Sequence, residues 1–279
     1  MKTYADSFGL QWNHFKRTQL DRFNGTSITR DRFFEATGFP EQMDGQRVLE
    51  AGSGAGRFTE ILLGTGAQVF TFDLSEAVYA NRANNGPHPR LHIFRGDIYQ
   101  IPFAAESFDK VVCLGVIQHC PDVRAALMSL ARQVRAGGEI AFDVYDAEVR
   151  KPDSHPRYRW RRWLRGLPRP RLFQLVRLLV PVLLPLRRFL LRARLPYAGA
   201  LAHWVPVMDY EGVFPLTPAQ LREWAVLDTF DLLAPAFDQP QHIDTIREWM
   251  RAAGLEIVHL RKGPNGIIAR GRKELQAPG

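Results

Sequence analysis

Three glycines in the stretch VLEAGSGAGRFTE, namely Gly52, Gly54 and Gly56, stand between an apolar run that reads as a strand and a segment that reads as a helix. Glycines so placed admit positive φ and let a ligand approach the backbone closely. A dinucleotide fingerprint would set its third glycine three residues after the second. That position is Arg57, so the G-x-G-x-G spacing favours a different adenosine-bearing ligand. Asp73 ends the next apolar run, where a carboxylate can accept hydrogen bonds from both hydroxyls of a ribose. Asp97, in GDIYQIPF, ends the third run, where it can accept from an adenine amino group. A fourth run leads into GVIQHCPD, a loop facing the same crevice and carrying His119. One acid at a strand end is readily a helix cap. Such features at four successive strand ends point to a binding site.

The elements that must position these residues are legible as alternating runs. RVLEAG, QVFTFD, RLHIFRGD, DKVVCLG and GEIAFDVY read as strands, with helical segments at 56–65, 75–84 and 122–134. Near-continuous apolar strands alternating with helices predict a parallel sheet covered on both faces. Two late strands, LEIVHLRKG and NGIIARGRK, are joined by a turn at Pro264-Asn265-Gly266. The expected domains are an N-terminal helical cap over 1–45, a core over 46–147 and 241–279, and a basic, leucine-rich helical insertion over 148–240. The cap carries aromatics at Phe8, Trp12, Phe15 and Phe23.

Charge is unevenly distributed along the 279 residues. From Arg150 to Arg194 there are 14 Lys and Arg against one acid, Asp153, so this segment carries +13 and the rest −5 of a total of +8. A mildly acidic body with one basic segment implies local contact with an anionic partner. The two cysteines, Cys113 and Cys120, give no disulfide framework and no zinc spacing, and no metal is expected. The opening MKTYADSFGLQW lacks the apolar stretch of a secretory signal, which makes a reducing cytoplasm the expected setting.

The segments VLEAGSGAG, FDLS, GDIYQIPF, FDKVVCLGVIQHCPD and RAGGEIAFDVY resemble the class I S-adenosylmethionine-dependent methyltransferases. The resemblance runs from about Arg47 to Tyr145 and resumes in the last strands. It implies a Rossmann-like α/β fold with a mostly parallel seven-stranded sheet, helices on both faces and a helical insertion after the fifth strand. It also implies S-adenosyl-L-methionine as cofactor. Glu50 and Gly52 would then hold its methionine end, with Ser53, Gly54 and Gly56 close by. Asp73 and Leu74 would meet the ribose, Asp97 and Ile98 would frame the adenine, and Val116 would line the same site. SFGLQWNHF and LDTFDLLAPAFDQPQHIDTIREWMRAAGLEIV are similar to a bacterial subgroup associated with glycan, lipid and secondary metabolism.

Methyl transfer from a sulfonium is an in-line displacement, so the protein must align the acceptor and exclude water. A base helps when the acceptor is a hydroxyl or an acidic carbon. His119, just past the fourth strand, is the first candidate, followed by His203 and Tyr210 from the insertion. Asp209, Asp238 and His242 are further candidates, and each also reads as a hydrogen-bonded structural residue.

Residues 160–194 mix leucine and arginine without an acid. Pro181 and Pro185 predict two short helices, 171–180 and 186–194, joined at a bend. Arginines within the stretch exclude a membrane span. An interfacial placement over 157–194 fits better, with leucines, Trp160 and Trp163 at the headgroup boundary and arginines on anionic lipid. The expected function is methylation of a hydrophobic, lipid-linked or phosphate-bearing small molecule at a membrane surface, peripheral to the cytoplasmic face. The alternative is a soluble sugar or secondary-metabolite methyltransferase with the insertion as a lid. Nucleic acid is not an expected partner, since LGVIQHCPD lacks the Asn/Asp-Pro-Pro-aromatic element that base methyltransferases carry. A non-catalytic cofactor-binding protein is disfavoured by the intact glycine loop and both acids.

Overall fold

The computed structural model describes residues 4–150, 156–164, 166–193, 195–264 and 266–275. Asp153, Arg165, Arg194 and Asn265, which enter the charge count and the turn above, lie outside the described residues. The chain opens with α1 (Asp6–His14), α2 (Asp21–Asn24) and α3 (Ile28–Thr37). The core follows as β1 (Arg47–Ala51), α4 (Arg57–Gly64), β2 (Gln68–Asp73), α5 (Ala77–Asn85) and β3 (Leu91–Arg95). It continues through β4 (Phe108–Cys113), α6 (Val123–Gln133) and β5 (Val134–Val144). The insertion contributes α7 (Pro156–Leu164), α8 (Arg169–Arg192), α9 (Ala198–Trp204) and α10 (Pro218–Leu233). The chain then closes with α11 (Ile243–Ala252), β6 (Leu255–Gly263) and β7 (Gly266–Lys273).

Among the described residues, seven strands form one sheet in the order β3-β2-β1-β4-β5-β7-β6. β1 to β5 pair in parallel, while β7 runs antiparallel between β5 and β6. Successive residues of the central strands point to opposite faces, and both faces are apolar. Leu49, Val111 and Phe142 pack with α6 and α11 on one side. Val48, Val112 and Ala141 pack on the other with Phe58 and Leu62 of α4 and Phe33 of α3. Double coverage is what parallel strands require, because each face must be removed from water.

The insertion leaves after β5 and returns at the same place, since Asp146 and Gln241 form a single parallel bridge. α10 starts at a capping box, in which Thr217 and Gln220 satisfy each other's end of the helix, with Pro218 in the first turn. Its apolar face, including Leu227 and Phe230, forms a third cluster with α8 and with Phe15, which follows α1.

The expectation of two helices joined at a bend is corrected here. α8 runs unbroken through Pro181 and Pro185. An interior proline costs a helix roughly 3 kcal/mol, because a donor is lost and the ring crowds the preceding turn. Both prolines lie on the exposed side of α8, one turn apart, so the carbonyls they leave without helix donors are open to water. The opposite side buries Leu172, Phe173, Val176, Val180 and Leu184. At about 1.5–3 kcal/mol for each buried side chain, that packing outweighs both prolines.

Candidate active site

Parallel strands leave a crevice at their carboxyl ends where the strand order reverses, here between β1 and β4. A cavity of about 800 Å³ occupies that position. Its floor is the glycine loop after β1 and the turns after β2, β3 and β4. Residues of α1, α3 and α10 close it from above.

The glycine loop is shaped by its neighbours. Gly52 and Ser53 donate their backbone N–H groups to the Phe72 carbonyl at 2.8 and 3.0 Å, hooking the loop onto the end of β2. Gly52 has φ +77°, and a Cβ there would stand 2.4 Å from a methyl of Val116. Gly54, at φ +52°, faces the indole nitrogen of Trp12 at 3.1 Å from its missing Cβ. A side chain at either position would fill the space between loop and wall. Gly56, by contrast, lies against Asn81 and Asn85 on α5, away from the cavity lining.

Asp73 lines the cavity and ties two loops together. Its Oδ2 accepts the Gly54 N–H at 3.0 Å, and its Oδ1 accepts the N–H and hydroxyl of Ser75 at 2.8 and 2.7 Å. Burial raises its pKa against these bonds. A carboxylate has about four acceptor positions, so one remains for a ligand hydroxyl. With the bonds to Gly54 and Ser75 in place, Asp73 has room for one direct ribose contact rather than the two expected.

Glu50 sits beneath the loop and does not line the cavity. Its Oε2 accepts from the hydroxyls of Thr59 and Thr71 at 2.5 and 2.8 Å, while Oε1 is buried with no partner among the described residues. Burial pushes its carboxyl up to about 7. Asp97 is also absent from the lining. It closes a turn by accepting the Tyr99 N–H at 3.0 Å, while its neighbours Gly96 and Ile98 face the cavity. Leu74 and Val116 line it as well.

The chemistry of this donor set fits S-adenosylmethionine. Two glycines present bare backbone, Asp73 has an acceptor position left, and Phe72, Ile98 and Val116 offer apolar walls for a flat ring. Ser53 and Gln11 line the cavity, and Ser53 Oγ and both amide atoms of Gln11 are buried without a partner among the described residues. Buried polar atoms rarely stay unpaired, and a bound polar ligand would satisfy them.

His119 is buried in the turn after β4, with Phe8 and Tyr145 against its ring. Its Nδ1 lies 3.0 Å from the Phe237 carbonyl oxygen. A carbonyl only accepts, so Nδ1 carries a proton in this bond, and Nε2 is the ring nitrogen it leaves unengaged. His203 stands apart: it is exposed on α9, its Nδ1 engages the Gly199 carbonyl at 2.7 Å, and it does not line the cavity. The expectation that His203 faces the acceptor is corrected, because the helix turns it outward.

Tyr210 does reach the cavity, in company that sequence reasoning missed. Its hydroxyl donates to Asp228 Oδ2, and the Trp224 Nε1–H donates to the same oxygen at 3.1 Å. Burial and the adjacent carboxylate drive the phenol pKa far up, while burial pushes Asp228 up to about 6. Tyr210 is therefore held as a donor, and Asp228 is the group of the pair that can take a proton near neutrality. Asp231 follows one turn later on α10 and also lines the cavity. Two acids three apart in the apolar LREWAVLDTFDLL were the available signal.

Opposite these acids, the Nη2 atoms of Arg32 and Arg57 lie 3.8 and 3.9 Å from where a Cβ on Gly115 would stand. Arg32 pairs with Asp143 at 2.9 Å, whereas Arg57 donates to Gln19. Burial and the charge of Arg32 pull Arg57 down to about 9. Two of the remaining candidates have structural partners: Asp209 binds Arg187 and Arg188, and Asp238 binds Arg161 at 2.8 Å. His242 stands at the N-cap position of α11, with no side-chain bond to the helix end.

Comparison with known proteins bears on the same region. Residues 49–142 match the methyltransferase domain family. A malonyl-[acyl-carrier protein] O-methyltransferase from Serratia marcescens is 31% identical over 122 residues, covering 43% of this chain and 47% of that protein. A ubiquinone biosynthesis O-methyltransferase from Aromatoleum aromaticum is 33% identical over 110 residues, covering 36% and 44%. The matched part of the chain spans less than half the length of these curated relatives. Among solved structures, an S-adenosylmethionine dependent methyltransferase from Mesorhizobium loti superposes with a TM-score of 0.50 at 16% identity, covering 88% of this chain and 98% of that one. At that identity the likeness is one of fold.

Proposed function

We propose that the chain, whose residues 49–142 match the methyltransferase domain family, is an S-adenosylmethionine-dependent enzyme that transfers a methyl group to a hydrophobic or lipid-linked small molecule at a membrane surface. The observation that carries this reading is one cavity lined both by the glycine loop, Asp73 and Ile98 and by Tyr210, Trp224, Asp228 and Asp231.

S-adenosylmethionine, when bound, supplies an electrophilic methyl on a good leaving group. Asp73 would hold the ribose and the bare backbone at Gly52 and Gly54 would admit the methionine part. Ile98, Phe72 and Val116 would cover the adenine side. α1 and α10 close the cavity over this position and exclude water, which strengthens alignment and prevents wasteful hydrolysis.

An acceptor hydroxyl beside α10 would lose its proton to Asp228, which Tyr210 and Trp224 hold in place, or to Nε2 of His119. Both relatives are named O-methyltransferases, which favours oxygen as the accepting atom. Tyr145, Tyr158, Phe214 and Trp224 give the cavity an aromatic lining suited to an apolar acceptor.

A second reading, a soluble sugar or secondary metabolite as acceptor with the insertion as its lid, draws on the residues α10 contributes to the cavity. Calorimetry with S-adenosylhomocysteine tests the cofactor assignment under either reading. Micromolar binding is expected, and no heat of binding would remove the basis of the proposal.

A further inference from the structure

We infer that the outward face of α8 docks on an anionic lipid bilayer through a stripe of apolar side chains, with arginines alongside it. The inference rests on the membrane-surface setting proposed above, but docking itself needs no methyl transfer.

α8 is apolar on two sides. The inward side packs on α10, as described. On the outward side Leu178, Val182, Leu186 and Phe189 recur at intervals of four, four and three residues, so they form one stripe along the helix. Their exposures are 72, 66, 45 and 64%. Exposed apolar groups continue on the neighbouring helices. Trp163 of α7 is 83% exposed, and Leu201 and Trp204 of α9 are also open. α9 is fastened to α7 by the Trp160 Nε1–H on the Trp204 carbonyl at 2.9 Å. Exposed apolar side chains in this number on neighbouring helices mark an interaction face.

Charge selects the occupant. From residue 154 to residue 208 the sequence contains no acid. Arg159, Arg162, Arg171 and Arg177 are exposed and have no carboxylate partner among the described residues. Arginine beside leucine and tryptophan is the composition of an interfacial helix: the apolar groups enter the headgroup boundary and the cations meet anionic lipid. Depth is limited to that boundary, since among the described residues no helix is long and apolar enough to cross a membrane.

The structure also revises what the sequence suggested about strength. Arg187 and Arg188 bind Asp209, Arg188 and Arg192 bind Glu211, and Arg161 binds Asp238. These five ion pairs are internal, so four of the segment's arginines are already engaged by carboxylates of the protein. The apolar stripe, rather than the full positive charge, supplies most of the attachment.

The full chain should be sedimented with vesicles of phosphatidylcholine and phosphatidylglycerol, and with phosphatidylcholine alone, in parallel with a Leu178→Ser/Val182→Ser/Phe189→Ser variant and an Arg162→Gln/Arg177→Gln variant. All five side chains are exposed, so folding should survive, and unchanged S-adenosylhomocysteine binding by calorimetry checks it. The wild type is expected to pellet with the anionic vesicles. The serine variant should bind them about tenfold more weakly or worse, and the glutamine variant should lose only the preference for anionic lipid. Wild-type protein left in the supernatant with both vesicles, or a serine variant that binds as the wild type does, would overturn the inference. So would a dimer in sedimentation equilibrium that the serine variant dissolves, since the stripe would then face a second copy. Failure to bind S-adenosylhomocysteine would count against the methyltransferase reading and leave the vesicle result standing.

Discussion

Asp73 accepts the backbone N–H of Gly54 at 3.0 Å, joining the turn after β2 to the glycine loop after β1. One carboxylate thus shapes the loop and offers an acceptor position to whatever the loop cradles. Replacing it removes both functions. Asp73→Ala should weaken S-adenosylhomocysteine binding by about tenfold to a hundredfold, the scale of one or two hydrogen bonds to a charged group. An isotherm identical to the wild type's would show that Asp73 has no part in the site.

Val116 stands where a Cβ on Gly52 would go, with 2.4 Å to its nearest methyl. Gly52→Ala should therefore lower Tm and cofactor affinity together, through positive φ and through the collision. The φ cost is on the order of 1 kcal/mol. Adding Val116→Ala should restore part of the affinity. A double variant no better than the single one would place the whole effect in the backbone.

Glu50 and Asp228 are acids whose folded pKa values lie above those of the unfolded chain, at about 7 and about 6. The folded protein then holds their protons more tightly than the unfolded one, so ligand-free stability should fall as pH rises from about 4.5 to 7. For Glu50 alone the effect is on the order of 3 kcal/mol at most. Thermal melts from pH 5 to 8 should show Glu50→Gln flattening this slope and raising Tm at pH 8. A Tm that instead climbs with pH in both proteins would contradict the burial of an uncompensated acid.

His119 and Asp228 compete for the role of base. If Asp228 takes the proton, label transfer to a cell extract should decline below about pH 6, and Asp228→Asn should abolish most of it while leaving S-adenosylhomocysteine binding intact. His119→Ala should then reduce transfer and binding in similar proportion, as loss of a buried ring would. A selective collapse of transfer in His119→Ala would assign the proton to Nε2 instead.

The strands and the glycine loop were legible because each depends on short-range pattern. Val48 and Leu49 face opposite apolar layers, and the loop at Gly52 takes a positive φ that favours glycine. Asp97 is a less direct case: its Oδ1 is engaged locally by the Tyr99 N–H, and its neighbours Gly96 and Ile98, rather than Asp97 itself, line the cavity. Asp228 and Asp231 offered only their spacing on α10 as a signal, because it is the docking of that helix onto the core that brings them to residues far earlier in the sequence. The single helix α8 was hidden because a proline reads as a break until its side of the helix is known to face water. Part of the insertion's charge is offset from outside the basic segment, since Asp209 and Glu211 lie beyond it and pair with three of its arginines.

Methyl transfer itself is tested most directly with cofactor labelled on its methyl group. The purified chain would be incubated with an extract of its source cells, and the products separated into organic and aqueous phases. Label entering the organic phase, and lost with Asp73→Ala, is the expected result. Label confined to the aqueous phase would move the acceptor to the sugar and secondary-metabolite class. Label in neither phase, from a protein that binds S-adenosylhomocysteine, would contradict catalysis and leave a cofactor-binding protein.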